Sequence, residues 1–182
     1  AVAASVKNLH GVDVRRVIPN GIDVQRVREA AGRRVALRAE WGRKEDDVVF
    51  LCAASLTPKK NHALLLSAFA ELQKSASDTY LVLAGDGGER VAIEAAVEAE
   101  GLGDRVRLLG NRDDVPALLH AADVFVLSSD REGVPLSCME AMAAGRPVVA
   151  TRVGGTPEVV RDFVDGLLVE QGDVEGFAEA MR

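Results

Sequence analysis

The sequence predicts an α/β domain with a doubly wound, mostly parallel sheet of about six strands and helices on both faces. Short apolar runs rich in β-branched residues recur along the chain, as expected of parallel strands that are covered on both sides. Stretches with helical periodicity separate successive runs, which implies right-handed crossover connections. The length of 182 residues and the 48% hydrophobic content are sufficient for one buried core.

The predicted elements alternate from residue 48 onward. The strands are predicted at 48–54, 80–85, 105–110, 123–128, 146–151 and 166–170. The helices between them are predicted at about 61–75, 88–100, 114–122, 136–144 and 155–161. This order favours a single sheet over a solenoid, because no segment repeats at a fixed period.

The first part of the chain has a different pattern. It predicts a helix ending at Gly11, a strand closed by Pro19 and an Asn20-Gly21 turn, and a helix over 24–42. The cations between Arg26 and Lys44 are interpreted as a solvated helix face. Residues 1–18 are expected to be a remnant of a preceding domain or connecting segment, and 19–182 the main domain. The chain begins without Met and stops within a helical pattern, so we expect a piece of a longer protein.

Composition argues against several classes of protein. The net charge of −6 and the pI near 5.1 disfavour a nucleic-acid partner, which requires a basic surface. No apolar run approaches the ~18 residues of a membrane span, and no secretory pattern opens the sequence. Cys52 and Cys138 are interpreted as buried residues in a reducing, cytoplasmic compartment. His10 and His62 have no partners at metal-binding spacing, and His120 is expected to be a surface or packing residue, so no metal site is predicted.

The chemistry is expected in the loops after the strands, because ligands of such sheets bind at the carboxyl ends of strands, over helix N-termini. After the first strand, Lys59 and Lys60 precede a helix, which fits either a phosphate clamp or a solvated loop. After the second, "GDGGER" nearly matches a dinucleotide fingerprint but ends in Arg90, so an NAD site is rejected. Its glycines still fit a tight turn or a close backbone approach to a ligand.

The later loops supply helix starts and two glutamates. Asp114 is expected to cap the helix after the third strand, and Thr156 the helix that begins with Pro157. In "EGVPLSCME", Glu132 lies on a loop and Glu140 on a helix that runs from about Pro135 to Ala144 and stops at Gly145. The eight-residue spacing is too long for a helical pair. The two carboxylates are therefore expected to border one pocket and hold different parts of a ligand.

Taken together, these loops resemble the donor-binding domain of family 4 retaining glycosyltransferases. Those enzymes have the GT-B fold of two facing Rossmann-like domains. The match runs from "VIPNGID" through "DGLLVEQGD", about four-fifths of the chain. Its most specific element is the E-x7-E pattern from Glu132 to Glu140, placed after "VFVLSS" and before "VGGTPEVV".

The resemblance implies a role for each loop. Glu132 and Lys60 would be the catalytic residues, with Glu132 holding the hydroxyls of the donor sugar and Lys60 neutralising the diphosphate. Glu140 would accept hydrogen bonds from the ribose. The other donor-binding positions implied are Gly133, Val134, Leu136, Ser137, Ser55, Gly85, Asp86, Gly87, Asn111 and Arg112, the last two beside the base. The leaving phosphate would help to deprotonate the acceptor, and no metal or other cofactor would be needed.

Two departures from the family pattern matter. Ser55 stands where the family often has Arg, which would remove a phosphate contact worth ~1.5–3 kcal/mol unless another group supplies it. The resemblance also implies that the acceptor-binding domain is not part of this chain, so the chain alone is expected to bind a UDP-, GDP- or ADP-sugar and transfer poorly. The acceptor would be a glycan, lipid or small molecule held by the missing domain, and the full-length enzyme could contact a membrane peripherally.

Several alternatives are weighed beside this interpretation. A nucleotide-sugar epimerase of GT-B fold and a non-catalytic nucleotide-sugar-binding module both remain open. A receiver-type signalling module is disfavoured because "TPKKN" replaces the acidic cluster that such modules need after the first strand. A glycosidase would use the two glutamates on one bond, but it leaves the lysine and glycine loops unexplained.

Overall fold

The computed structural model describes Ile18 and residues 20–182. The predicted helix ending at Gly11, most of the predicted strand before Pro19 and nearly all of the expected remnant over 1–18 therefore lie outside the described residues. Nearly all of the segment in which the sequence predicts alternating strands and helices is described.

The described residues form one six-stranded sheet. The strands are β1 (Val48–Ala53), β2 (Thr79–Ala84), β3 (Val106–Gly110), β4 (Val124–Leu127), β5 (Val148–Thr151) and β6 (Gly166–Val169). Their order is β3-β2-β1-β4-β5-β6, and every neighbouring pair is parallel. The prediction of a doubly wound parallel sheet is confirmed, and each predicted strand lies within a few residues of the observed one.

Eight α-helices occur in the described part of the chain. They are α1 (Val24–Glu29), α2 (Arg34–Glu40), α3 (His62–Gln73), α4 (Arg90–Ala99), α5 (Val115–Ala121), α6 (Leu136–Ala143), α7 (Thr156–Val159) and α8 (Val174–Ala180). Side chains of α1, α2, α5 and α6 share one buried cluster, whereas those of α3, α4 and α8 share another. Alternate residues of β1 belong to different clusters, Val49 to the first and Phe50 to the second. The sheet is therefore covered on both faces.

The prediction of one continuous helix over 24–42 is wrong. A 3-10 turn at Ala30–Arg33 separates α1 from α2. It contains Gly32, and glycine is a poor helix former because it loses the most backbone entropy. After the break, α2 packs against α5.

The solvated-face interpretation of the basic stretch is wrong for two of its arginines. Arg38 is only 2% exposed and donates to the Asp123 carboxylate at 2.5 Å and to the Ala121 carbonyl at 2.9 Å. Arg34 donates to Asp123 at 2.9 Å and to the carbonyls of residues 120–122 at the end of α5. Helix-end carbonyls have no partner within their own helix, so these guanidiniums satisfy acceptors that would otherwise be unpaired.

Two predicted helix caps are also wrong. Asp114 occupies the N-cap position of α5, but its carboxylate accepts from Arg112 and Arg33 instead of a backbone N–H. Thr156 is the first residue of α7, after Gly155, and its buried hydroxyl has no hydrogen-bond partner within the described residues. At Asp114 the two arginines displace the local capping bond.

Other local predictions are confirmed. Gly145 follows α6 at φ +73°, the left-handed conformation expected of a helix stop, although Pro135 precedes the helix and Leu136 begins it. His120 packs with its Nε2 atom 2.8 Å from the Val27 carbonyl. Cys52 and Cys138 are buried, and burial raises the pKa of each thiol to about 12.

Candidate functional site

A cleft of about 610 Å³ opens at the carboxyl ends of the strands. It receives residues from the segment before and within α1, the ends of β1 and β2, the loop after β3 and the first half of α6. We name it the switch cleft, because β1 and β4 are the neighbours at which the strand order reverses. In open α/β sheets that position is where ligands bind. Six predicted residues line it: Gly85, Asn111, Arg112, Leu136, Ser137 and Glu140.

Glu140 is a half-buried carboxylate on the cleft side of α6. Desolvation raises its pKa, and the nearby charge of Arg26 acts in the opposite direction. No hydrogen bond joins this carboxylate to another of the residues that the structure describes. A carboxylate left partly dehydrated and unpaired is disfavoured unless a donor reaches it, so its geometry suits a ligand that brings hydroxyl groups.

The two residues predicted to be catalytic, Lys60 and Glu132, are in direct contact. Lys60 Nζ lies 2.5 Å from Glu132 Oε1, and both side chains are at most 15% exposed. Ser129 Oγ donates to the same carboxylate oxygen at 2.6 Å. Neither residue lines the switch cleft itself, although both lie on loops at the same edge of the sheet. The sequence did not predict this pair, because the residues are 72 positions apart.

Buried hydroxyls fix the loops that carry the pair. Ser128 Oγ donates to the carbonyls of Lys60 at 3.0 Å and Asn61 at 2.9 Å. Thr151 Oγ1 donates to the Ser129 carbonyl at 2.5 Å, which ties the end of β5 to the loop after β4. The hydrogen bonds of Ser128, Ser129 and Thr151 were not predicted from the sequence. The available signal was polar "SS" directly after a buried apolar strand, since buried polar side chains are nearly always hydrogen-bonded.

Two of the three glycines of "GDGGER", Gly85 and Gly87, are required by packing. A Cβ at Gly85 would lie 2.0 Å from the Ala54 carbonyl oxygen, and one at Gly87 would lie 2.2 Å from that of Leu56. Gly85 also borders the cleft and has φ +143°, a conformation that L-residues rarely adopt. Asp86 is engaged locally, since its carboxylate accepts from the Gly87 N–H at 2.8 Å and from Arg90 at 3.2 Å.

A second glycine pair supports the Glu132 loop. A Cβ at Gly154 would lie 1.8 Å from the Glu132 carbonyl oxygen, and one at Gly155 would lie 1.9 Å from that of Gly133. The Gly155 N–H also donates to the Glu132 carbonyl at 3.3 Å. The loop that contains Glu132, Gly133 and Val134 therefore rests on the backbone of the loop after β5.

Residues before and within α1 form the wall of the cleft that sequence reasoning missed. Gly21, Ile22 and Asp23 line it, together with Arg26. Asp23 caps α1 by accepting from the Arg26 N–H at 3.0 Å, which fixes the start of the helix. The available signal was the "PNGID" segment, which predicts a turn and opens the stretch that resembles the family.

Arg112 and Ser55, two other residues predicted to bind the donor, differ in how firmly other protein groups hold their side chains. The Arg112 guanidinium is held by Asp114 at 2.7 Å and by Glu40 at 3.5 Å, so its position is fixed by carboxylates beside the cleft. Ser55 is exposed, outside the cleft, and its hydroxyl is 3.5 Å from that of Thr57.

No cluster of three or more His, Cys, Asp or Glu side chains suited to a metal occurs in residue 18 or 20–182. Over the same range no helix has the length and apolarity to cross a bilayer.

The chain matches a family of known enzymes over most of its length. The model of the family "Glycosyl transferases group 1" matches residues 34–182. The lipopolysaccharide core biosynthesis glycosyltransferase LpsE of Rhizobium meliloti is 38% identical over 152 residues, 83% of this chain and 44% of that protein. The D-inositol 3-phosphate glycosyltransferase of Saccharomonospora viridis is 37% identical over 181 residues, 93% of this chain and 41% of that protein. The chain thus spans less than half the length of these relatives.

Solved structures of glycosyltransferases have a similar fold. HepE of Anabaena, in complex with UDP and glucose, has a TM-score of 0.81 and 29% identity over 90% of this chain and 45% of its own. WaaG, a glycosyltransferase of lipopolysaccharide biosynthesis, has a TM-score of 0.87 and 27% identity over 98% of this chain and 50% of its own. The fold is the Rossmann-like half of a GT-B glycosyltransferase, as the resemblance implied. This chain belongs to the glycosyl transferases group 1 family.

Proposed function

We propose that this chain is the donor-binding domain of a retaining glycosyltransferase and that it binds a nucleoside diphosphate sugar across the switch cleft. The observation that carries the proposal is Glu140, a half-buried carboxylate in a cleft at the topological switch point, with no hydrogen-bond partner among the described residues. HepE, which is 29% identical, has been solved with UDP-glucose, and this supports a nucleotide sugar as the ligand.

The nucleoside would occupy the cleft itself. Glu140 can accept hydrogen bonds from both ribose hydroxyls, which restores the partners lost on desolvation. Asn111 and the fixed Arg112 would border the base, while Leu136 and Ser137 at the start of α6 would face the ribose and phosphates. The backbone N–H groups of that first turn favour negative charge, so the diphosphate would lie toward them.

Lys60 and Glu132 would meet the diphosphate and the sugar. The ammonium of Lys60 has three N–H donors, and Glu132 uses one of them, so two remain for phosphate oxygens. Glu132 has a second carboxylate oxygen that can accept from sugar hydroxyls. The ion pair and the bond from Ser129 hold both groups in place before the ligand arrives, which lowers the entropy lost on binding.

The chemical step would be transfer with retention. The bond from the anomeric carbon to the diphosphate oxygen breaks, and the acceptor oxygen bonds to that carbon on the same face. The acceptor proton passes to the departing phosphate, whose growing negative charge Lys60 stabilises. The acceptor, a hydroxyl of a glycan, lipid or small molecule, would be held by a part of the protein outside this chain. The longer protein would act in the cytoplasm, with or without peripheral membrane contact.

Calorimetric titration with UDP, GDP and ADP, each with and without an attached sugar, tests the donor site. We expect one nucleotide to bind and Glu140→Ala to weaken it about tenfold or more, even without a sugar, because a charge-assisted hydrogen bond is lost. Glu132→Ala should mainly reduce the gain in affinity that the sugar provides. Glu98→Ala, on the exposed side of α4, is the matched control and should change neither. Failure of all three nucleotides to bind at millimolar concentration would contradict the proposal.

The two alternatives need a different measurement, because an epimerase and a binding module would also hold a nucleotide sugar. Incubating the longer protein with its donor and acceptor separates them by product. A glycosylated acceptor with retained anomeric configuration supports transfer. An isomerised sugar nucleotide, or an unchanged donor, would favour the epimerase or the module.

A further inference from the structure

A second cleft, of about 400 Å³, lies at the opposite edge of the sheet. Tyr80 is the second residue of β2 and Val106 the first of β3, and both line it. Trp41 and Arg43, which follow α2, complete another side. Because all six strands are parallel, the amino ends of β2 and β3 face away from the carboxyl ends that border the switch cleft. We name this second site the arginine cleft.

Three arginines line the arginine cleft: Arg43, Arg105 and Arg107. Two of them are held on the ring of Tyr80. The Arg43 Cζ atom is 3.7 Å from the ring centroid and that of Arg105 is 4.9 Å from it. Arg105 Nη1 also donates to the Tyr80 hydroxyl at 2.7 Å, and Arg43 Nε donates to the Trp41 carbonyl at 2.9 Å. The aromatic ring and these two bonds therefore orient the positive groups.

Within the described part of the chain, these guanidiniums lack the carboxylate partners that most other arginines have. Ion pairs hold Arg33, Arg34, Arg38, Arg90, Arg112, Arg152, Arg161 and Arg182. Within the described residues no carboxylate pairs with any of the three in the cleft, although the chain has 28 acidic residues against 22 basic ones. Asp104 is the single acidic residue in the cleft lining, so the lining carries a net charge of +2.

The cleft wall also contains an unused hydrogen-bond donor. Trp41 is 2% exposed, and its indole N–H is buried without a partner among residues 18 and 20–182. A buried donor without an acceptor is rare in native structures, because it loses its bond to water on folding. Three arginines that have no carboxylate partner among the described residues line one concavity, and this favours an anionic ligand with several acceptor oxygens.

We infer that the arginine cleft binds a phosphate group. The planar guanidinium matches two phosphate oxygens at once, and a phosphate monoester has about −1.5 to −2 charges at neutral pH, close to the charge of the lining. The group can come from a soluble phosphate monoester or from the headgroup of an anionic phospholipid. This site is separate from the proposed donor site and does not depend on it.

The cleft contains its own reporters for the test. Trp41 and Tyr80 are the only tryptophan and the only tyrosine of the chain. Intrinsic Trp41 fluorescence should therefore follow titration with inorganic phosphate, with glycerol 3-phosphate, and with vesicles of phosphatidylglycerol in phosphatidylcholine, all at fixed ionic strength. We expect a saturable change with at least one of these probes, weakened by added salt. A response to glycerol 3-phosphate indicates a soluble ligand, whereas a response to the anionic vesicles alone indicates a lipid headgroup.

Arg107→Gln is the decisive variant, because Arg107 is exposed and makes no bond with another described residue that the fold would lose. It should weaken the fluorescence-detected binding by about tenfold, the effect of losing one charge-assisted hydrogen bond. Arg28→Gln makes the same charge change at an exposed residue of α1 and should leave the fluorescence-detected binding unchanged. Lys60→Ala should also leave it unchanged, because Lys60 lies at the other edge of the sheet.

Two results would overturn the inference. One is the absence of a saturable Trp41 response to all three probes. The other is an equal loss in Arg107→Gln and Arg28→Gln, which would indicate attraction by the overall charge of the protein and not a site. Circular dichroism of each variant checks that its fold is retained.

Discussion

Glu140 is a residue whose ionised side chain destabilises the ligand-free protein but suits a ligand that donates hydrogen bonds. Its carboxylate is partly removed from water in the switch cleft, and the nearby charge of Arg26 offsets only part of the cost. Lys60 and Glu132, by contrast, are two largely buried charges that compensate each other in an ion pair. A destabilising ionised group beside a cleft is therefore a functional candidate.

Glu140→Gln should raise the melting temperature of the ligand-free protein at neutral pH. The raised pKa of Glu140 in the folded state means that folding binds protons, so ionisation destabilises the native state as pH rises above the ordinary value of 4.5. The amide removes this cost, and the gain should vanish below pH 4.5, where the carboxyl is protonated in both states. Thermal unfolding across this pH range is the measurement, with Glu98→Gln as control. A gain that is independent of pH would contradict the explanation.

At the scale of elements, the site depends on loops that pack backbone against backbone. The loop after β5 supports the one after β4 through Gly154 and Gly155, and the loop after β2 touches the one after β1 through Gly85 and Gly87. Hydroxyls of Ser128 and Thr151 add bonds between the same loops. A change in one loop should therefore displace groups on its neighbour.

Gly154→Ala should destabilise the protein by about 2 kcal/mol or more. The new Cβ would meet the Glu132 carbonyl oxygen, and the residue has φ +51°, which is unfavourable for alanine. The loop must shift, so the affinity gained from a donor sugar should also fall. Urea unfolding and sugar-nucleotide titration measure the two effects.

The matched control is Gly32→Ala, at a glycine where a Cβ has no neighbour within 4 Å. It should leave sugar-nucleotide affinity unchanged and cause no comparable loss of stability. Equal losses in the two variants would mean that the contact with the Glu132 loop does not decide the effect.

For the whole molecule, Asp123 joins elements that are far apart in the sequence. It lies at the amino end of β4, accepts from the Val49 N–H at 2.8 Å, and pairs with Arg34 and Arg38 of α2. Arg38 in turn donates to the carbonyls of Lys44, Glu45 and Asp47, which precede β1. Burial works against ionisation of Asp123, but these hydrogen bonds and charges outweigh it and lower its pKa.

Asp123→Asn should destabilise the fold by about 3 kcal/mol at neutral pH, because it leaves the buried Arg38 without its counter-charge. Since the folded-state pKa of Asp123 is below its ordinary value of 3.8, its contribution is present above that pH and is lost as pH falls through the lowered pKa. Urea unfolding across acidic pH should show this loss in the wild type and not in the variant. Asp46→Asn, at an exposed residue, should behave as the wild type; an equal change there would contradict the prediction.

Periodicity could predict the strands, because continuous β-branched runs such as "VVFLCA" are distinctive when both faces of a sheet are covered. It could not predict the break at Gly32 or the burial of Arg38, since both depend on how α2 packs against α5 and Asp123. Local capping rules failed at Asp114 for the same reason: Arg112 and Arg33 compete for the carboxylate.

The sequence by itself determined the fold class, the family and the position of Glu140 beside a cleft, because those follow from local patterns and from a motif with fixed spacing. Only the tertiary structure decided that Lys60 and Glu132 form one ion pair and that Arg26 borders the cleft. It also revealed the arginines gathered on Tyr80. The physical reason is the strand order: β1 lies beside β4 and β2 beside β3, so residues far apart in the chain meet at the two edges of the sheet.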